Sequence, residues 1–181
     1  NSTFRSDNAT FTDKAVLENN GETILGALNG WNSAEVRNNS KLTVNGNTQF
    51  GGRFINNANA KLVGTADIDG TLQNSQGARL IANTVNVNGT LRNFGYMEAL
   101  DNSTVFGTLE NPGEIRLFNT HIGSRGSGDI GTIGNTYTLK ATGKTQVSGL
   151  LANAPGAIAE FSGNDSELVI LSGGSVSNNG T

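Results

Sequence analysis

Asp67 and Asp69 are the nearest approach in this chain to a catalytic pair. At i and i+2 on a strand they share one face, and two carboxylates on one face could work as acid and base in glycoside hydrolysis. Neighbouring stretches of comparable sequence supply no third charged partner, because Val85, Asn86, Val87 and Val105 stand at the equivalent places. Two solvent-facing aspartates flanking a buried Ile68 are therefore expected. His121 is the single histidine and cannot form a cluster. It opens a polar loop, and a Ser-His-Asp site would need a fold context that the sequence does not present. Gly126-Ser127-Gly128-Asp129 resembles part of a calcium-binding repeat, but the G-G-x-G-x-D pattern is incomplete and does not recur. Glycine-rich phosphate loops need a following helix, and none is predicted. Asn-x-Ser/Thr occurs at Asn8, Asn38, Asn88, Asn102 and Asn164, as chance allows in a chain so rich in these residues. The chain has no cysteine, hence no disulfide framework and no thiolate metal site. The expectation is a protein without catalytic residues, metal ligands or cofactor, and not an enzyme.

The elements that carry these residues follow from composition and repetition. The chain has 181 residues, 25 of them glycine, 26 asparagine and only 2 proline. Leu, Ile, Val and Phe make about 24%, enough for a packed core. Net charge is −3, without a basic stripe, which argues against nucleic acid as a partner. The longest aliphatic run, Leu168 to Leu171, is far too short to span a membrane. Asn and Gly form helices poorly and turns well, so short strands and many turns are expected.

Self-comparison supplies the organisation. Gly70-Thr71-Leu72-Gln73-Asn74 returns as Gly89-Thr90-Leu91-Arg92-Asn93 and Gly107-Thr108-Leu109-Glu110-Asn111. Looser copies bring the units to starts at 15, 34, 52, 70, 89, 107, 131, 149 and 174. The period is 18 to 19 residues, with two insertions, one near 121–129 and one near 155–165. Three strands and their tight turns consume such a period, which is one coil of a parallel β-helix. The spacing L-x-x-L-x-L-x-x-N of a leucine-rich repeat is missing. The expectation is all-β: a right-handed parallel β-helix of about nine coils, forming one unit over 1–181.

Several columns are expected along such a rod. Leu72, Leu91, Leu109, Ile133, Leu151, Val36, Phe54 and Val176 form one apolar column; Ile24, Leu42, Leu62, Leu80, Met97 and Ile115 form a second. Asn19, Asn38, Asn56, Asn74, Asn93, Asn111, Asn135, Asn153 and Asn178 form a third. Asn tolerates left-handed backbone and bonds its own turn, and stacked amides can bond from coil to coil. Thr71, Thr90, Thr108 and Thr132 form an outward row; two parallel threonine rows would suit an ice surface, but Gln73, Arg92, Glu110 and Gly134 break the second. The insertions are the expected interaction loops, since they interrupt the uniform face. They offer His121, Ser124, Arg125, Ser127 and Asp129 in the first, and Pro155, Asn164 and Asp165 in the second.

The unit Gly107-Thr108-Leu109-Glu110-Asn111-Pro112-Gly113-Glu114-Ile115, with copies over nearly the whole chain, resembles the repeats of bacterial type V secreted adhesins. The likeness is to filamentous-haemagglutinin-like exoproteins of two-partner secretion, and classical autotransporter passengers have similar coils. Scarce cysteine fits the same group. The resemblance implies a non-enzymatic adhesin segment, secreted or displayed at the bacterial cell surface. It implies attachment to a host-cell surface protein or glycan, or to like rods on other bacteria. It also implies passage through an outer-membrane transporter during secretion, with no membrane insertion of this segment. Asn178-Asn179-Gly180-Thr181 ends in mid-coil, so a piece of a longer rod is expected. Two other readings of such a rod are a polysaccharide-binding or -degrading β-helix, of lyase or tailspike type, and a passive shaft of a toxin-delivery exoprotein.

Overall fold

The computed structural model describes residues 3–125 and 129–181, and among them every regular element is a β-strand. Nine four-residue strands stack in parallel as one sheet, from Val16–Asn19 and Glu35–Asn38 through Thr90–Asn93 to Ser175–Asn178. Each ends on a repeat asparagine. A second parallel sheet takes the rest of each coil. The chain is therefore a parallel β-solenoid of about nine turns.

The three segments expected per coil are present, but the second and third often fuse. Arg79–Val87, Tyr96–Val105 and Glu114–Ile122 are single bent strands, whereas Lys41–Val44 and Thr48–Phe50 are separate. Register shifts between Ala82 and Val85, and between Glu98 and Asn102, mark where the bend is absorbed. A bulge turns the strand without a loop.

Alternation does the packing. Parallel sheets are usually covered on both faces; here only the inner face is buried, so the strands alternate, as in Thr71–Asn74 with Leu72 and Asn74 inward. Leu17, Val36, Phe54, Leu72, Leu91, Leu109, Ile133, Leu151 and Val176 are in register, which is the first expected column with Leu17 added. Each fully buried Leu removes enough apolar surface from water for about 2 kcal/mol. Phe50 and Phe54 are fully buried in the core, with rings 5.9 Å apart.

The second column differs from expectation at two residues, Ile24 and Leu62. Thr23, Leu42, Ala60, Leu80, Met97, Ile115 and Leu139 are the residues in register. Ile24 pairs with Thr43 on the outward side, and Leu62 belongs to the next inward row beside Val44 and Ala82. A slip of one position moves a side chain to the opposite face. Buried Thr23 sits inward because its hydroxyl donates to Asn19 Oδ1 at 2.9 Å. The hydroxyls of Thr48, Thr120 and Thr145 are also buried, with no partner among the described residues.

The asparagine column runs through every coil. Each Nδ2 donates to the Oδ1 of the next coil's asparagine, at 2.6 to 2.8 Å from Asn19 to Asn178. The other amide hydrogen goes to a backbone carbonyl of the following coil, as from Asn93 to Glu114 O at 2.8 Å. The expected left-handed backbone is not found at these residues; among the described residues, the non-glycine ones with positive φ are Asp13, Asn32, Asn119 and Asp165. The ladder asparagines are strand residues whose amides are turned inward.

Gly89 shows why glycine opens most units. A Cβ there would run into the carbonyl oxygens of Gly70 and Asp69 in the coil before. Ala15 and Ala34 take the same place in the first two coils, where a longer turn with a left-handed residue, Asp13 or Asn32, precedes them.

Candidate functional site

The sequence-expected residues separate onto different corners. Ser124–Arg125 and Asp129–Ile130 pair antiparallel, so the first insertion is a hairpin springing from the end of Glu114–Ile122. Ser127 lies outside the described residues. The second insertion is not one loop. Asn153 and Ile158 are five positions apart where Asn135 and Thr138 are three. Phe161 and Glu167 are six apart where Ala141 and Lys144 are three. Ile170 and Ser175 are five apart where Val147 and Leu150 are three. The extra length is thus shared among three corners, the last of them beyond 155–165. Pro155 lies in the first corner's turn, closed by Ala157 N–H to Ala154 O at 3.1 Å. Asn164 and Asp165 lie in the next, where Asp165 has a φ of 62° and Ser166 Oγ donates to Ser162 O at 2.7 Å.

His121 faces outward in a polar row with Gln49, Asp67, Asn86, Thr104 and Gln146. Its Nε2 is 3.5 Å from Ser148 Oγ, and its ring lies 6.0 Å from that of Phe106. Asn86 Nδ2 donates to Asp67 Oδ1 and Thr104 Oγ1 to Asn86 Oδ1, both at 2.7 Å. Asp69 accepts separately from Asn88 Nδ2 at 2.7 Å. Each aspartate therefore serves its own inter-coil bond on either side of buried Ile68, as expected. Among the described residues no group of three or more His, Asp or Glu side chains is placed to hold a metal.

Charges on the faces pair between successive coils. Lys41 Nζ is 2.6 Å from Glu22, Arg92 Nε 2.9 Å from Glu110, and Lys140 Nζ 3.3 Å from Glu160. The Lys41 amine, by hydrogen bond and charge, and the Thr3 hydroxyl hold the Glu22 carboxyl below its ordinary value. Ser162 and then Lys140 do the same for Glu160. The threonine row is in register from Thr71 to Thr132, beside the mixed row Gln73, Arg92, Glu110 and Gly134.

One corner departs from these self-satisfying patterns. Directly after the buried ladder, the early coils carry a second, exposed one. Asn39 Nδ2 donates to Asn20 Oδ1 at 2.9 Å, Asn57 Nδ2 to Asn39 Oδ1 at 2.8 Å, and Ser75 Oγ to Asn57 Oδ1 at 2.7 Å. The next two coils put Phe94 and Pro112 there, and the coil after adds Tyr137 one position on. Phe94 is 43% exposed and Tyr137 61%. With Gln76, Arg79 and Tyr96 they line a concavity of about 500 Å³. Gly95 and Gly113 leave its floor without side chains, since a Cβ at either would strike the preceding coil. Tyr96 is fixed at one side. The guanidinium carbons of Arg79 and Arg116 lie 5.3 and 5.4 Å from its ring centre, and its hydroxyl donates to Glu98 at 2.9 Å. Partial burial, then the Glu98 carboxylate, pushes the phenol above its ordinary value. The sequence signal for this corner was the loss of Asn or Ser after the repeat asparagine at Phe94 and Pro112.

No protein-family model, curated protein or solved structure matches the chain.

Proposed function

We propose that this chain is a non-enzymatic attachment segment, a rod displayed by a bacterium at its surface or secreted from it. It presents an adhesive surface to host cells, to glycans or to like rods. One observation supports the reading best. The outward polar groups are tied to one another from coil to coil, as Asp67 is to Asn86 and Asn39 to Asn20, while at one corner the exposed ladder gives way to exposed Phe94 and Tyr137, which line one concavity. A stiff stack with a local exposed patch suits holding and reach more than bond-making, and exposed apolar patches commonly mark interaction sites. The residue-level resemblance to type V secreted adhesins points the same way. In that setting the outer-membrane transporter is the partner during export.

Purified chain coupled to fluorescent beads tests the reading on cultured epithelial cells and on bacteria displaying the same rod. Saturable binding, competed by free chain, is the expected outcome. Release of reducing or unsaturated sugar from a polysaccharide panel would overturn it in favour of a glycan-cleaving β-helix. Binding to no surface would leave a passive shaft.

A further inference from the structure

We propose that the corner formed by Phe94, Pro112 and Tyr137 is a glycan-binding subsite that stacks pyranose rings; this rests on the attachment reading and names its ligand class. The corner breaks the pattern of the four coils before it, since the position that carries bonded Asn20, Asn39, Asn57 and Ser75 there carries exposed Phe94 and Pro112 here. Among the described residues neither Phe94 nor Tyr137 is stacked on another aromatic ring. Coils rise by about 4.8 Å each, so Phe94 and Tyr137, two coils apart, are separated along the axis by roughly 10 Å, comparable to the length of a disaccharide. Between them lies exposed Pro112, over a floor of bare glycine backbone. Hydrogen-bonding groups stand at the rim: the amide of Gln76 and the phenol of Tyr137 have no partner among the described residues, and Arg79 lies alongside Tyr96.

A pyranose has an apolar C–H face and a rim of hydroxyls, which matches flat rings edged by donors and acceptors; few polar groups around an apolar surface is the usual make-up of a small-ligand site. A peptide added as a strand would need free backbone groups. Backbone groups at this corner are already used between coils: Phe94 N–H bonds Asn74 O at 2.8 Å, Tyr96 N–H bonds Ala78 O and Glu114 N–H bonds Gly95 O, both at 3.0 Å.

The test is a glycan array probed with the whole chain, with the double variant Phe94→Ala/Tyr137→Ala, with Tyr137→Phe, and with Phe118→Ala, an exposed ring outside this corner. Urea midpoints check that each variant is folded. The wild type and Phe118→Ala are expected to bind the same oligosaccharides, Tyr137→Phe to lose no more than about threefold, and the double variant to lose tenfold or more. An array without a wild-type signal overturns the subsite, and so does a folded double variant that binds undiminished. Cell binding that survives periodate oxidation of surface glycans and is equal for wild type and double variant sinks the subsite while the attachment reading stands. Array binding without any cell binding does the reverse.

Discussion

The side-chain amide of Asn74 donates one hydrogen to Asn93 Oδ1 at 2.8 Å and the other to the carbonyl of Tyr96 at 2.9 Å. It thereby fixes both the next ladder residue and the start of the next long strand. Asn93 repeats the arrangement toward Asn111 and Glu114. A buried amide with both hydrogens and its oxygen engaged is expensive to interrupt.

Asn93→Ala removes one link and leaves Asn74 Nδ2, Asn111 Oδ1 and the Glu114 carbonyl each short of a bond. Unsatisfied buried polar groups cost about 1–3 kcal/mol each, and partial relaxation brings the expected loss to about 3 kcal/mol. Asn178→Ala, at an exposed end of the ladder, is expected to cost less than about 1 kcal/mol. Urea unfolding of the two variants compares them directly; equal midpoints would count against a cooperative ladder.

Gly89→Ala and Gly134→Ala separate close approach from mere glycine content. The first places a methyl against backbone carbonyls of the coil before, while nothing lies within 4 Å of a Cβ at the second. Backbone cannot yield as a side chain does, so Gly89→Ala is expected to lose about 3 kcal/mol or more, or not to fold. Gly134→Ala is expected to stay within about 0.5 kcal/mol of wild type. Thermal melts read the difference.

Thr48→Val and Thr120→Val are expected to stabilise the rod. Each replaces a buried hydroxyl that has no partner among the described residues by a methyl of similar shape. Removing an unpaired buried polar group should gain about 1 kcal/mol per site. A lower midpoint in either variant would show that the hydroxyl finds a partner in solution.

Acid should loosen the cross-coil ion pairs in a defined direction. Lys41 holds the Glu22 carboxyl below its ordinary value in the folded chain, so the folded state favours the carboxylate. That contribution is present above the unfolded carboxylate value and disappears as pH falls through the depressed folded value. NMR titration of the Glu22 carboxyl carbon is expected to show a low midpoint, moved up toward the ordinary value by Lys41→Ala. The pair is solvent-exposed, so the change in overall stability should be small.

The coil architecture was readable because Leu and Asn recur together, as in Leu72 with Asn74 and Leu91 with Asn93. Two residues on one face at a fixed spacing determine a strand, its inward side and its register at once. The second column had no such pair. Thr23 looks outward by type yet is held inward by Asn19, and Ala60 is too small to mark a core position beside Leu62. The seven extra residues of the penultimate coil were legible in number but not in place, because Gly and Ser are acceptable at all three of its corners. The aromatic corner is visible only as what fails to recur, so comparing repeats for likeness passes over it.

Each coil bonds only to the one before and the one after, and this sets how the molecule would yield under tension. Pulled from its ends, the rod loads one coil boundary at a time instead of shearing many together. A lost coil without an insertion releases 18 to 19 residues, about 60 Å of extended chain, while its neighbours remain closed. Force would therefore be met in instalments, as in a tether that lengthens by steps before it parts.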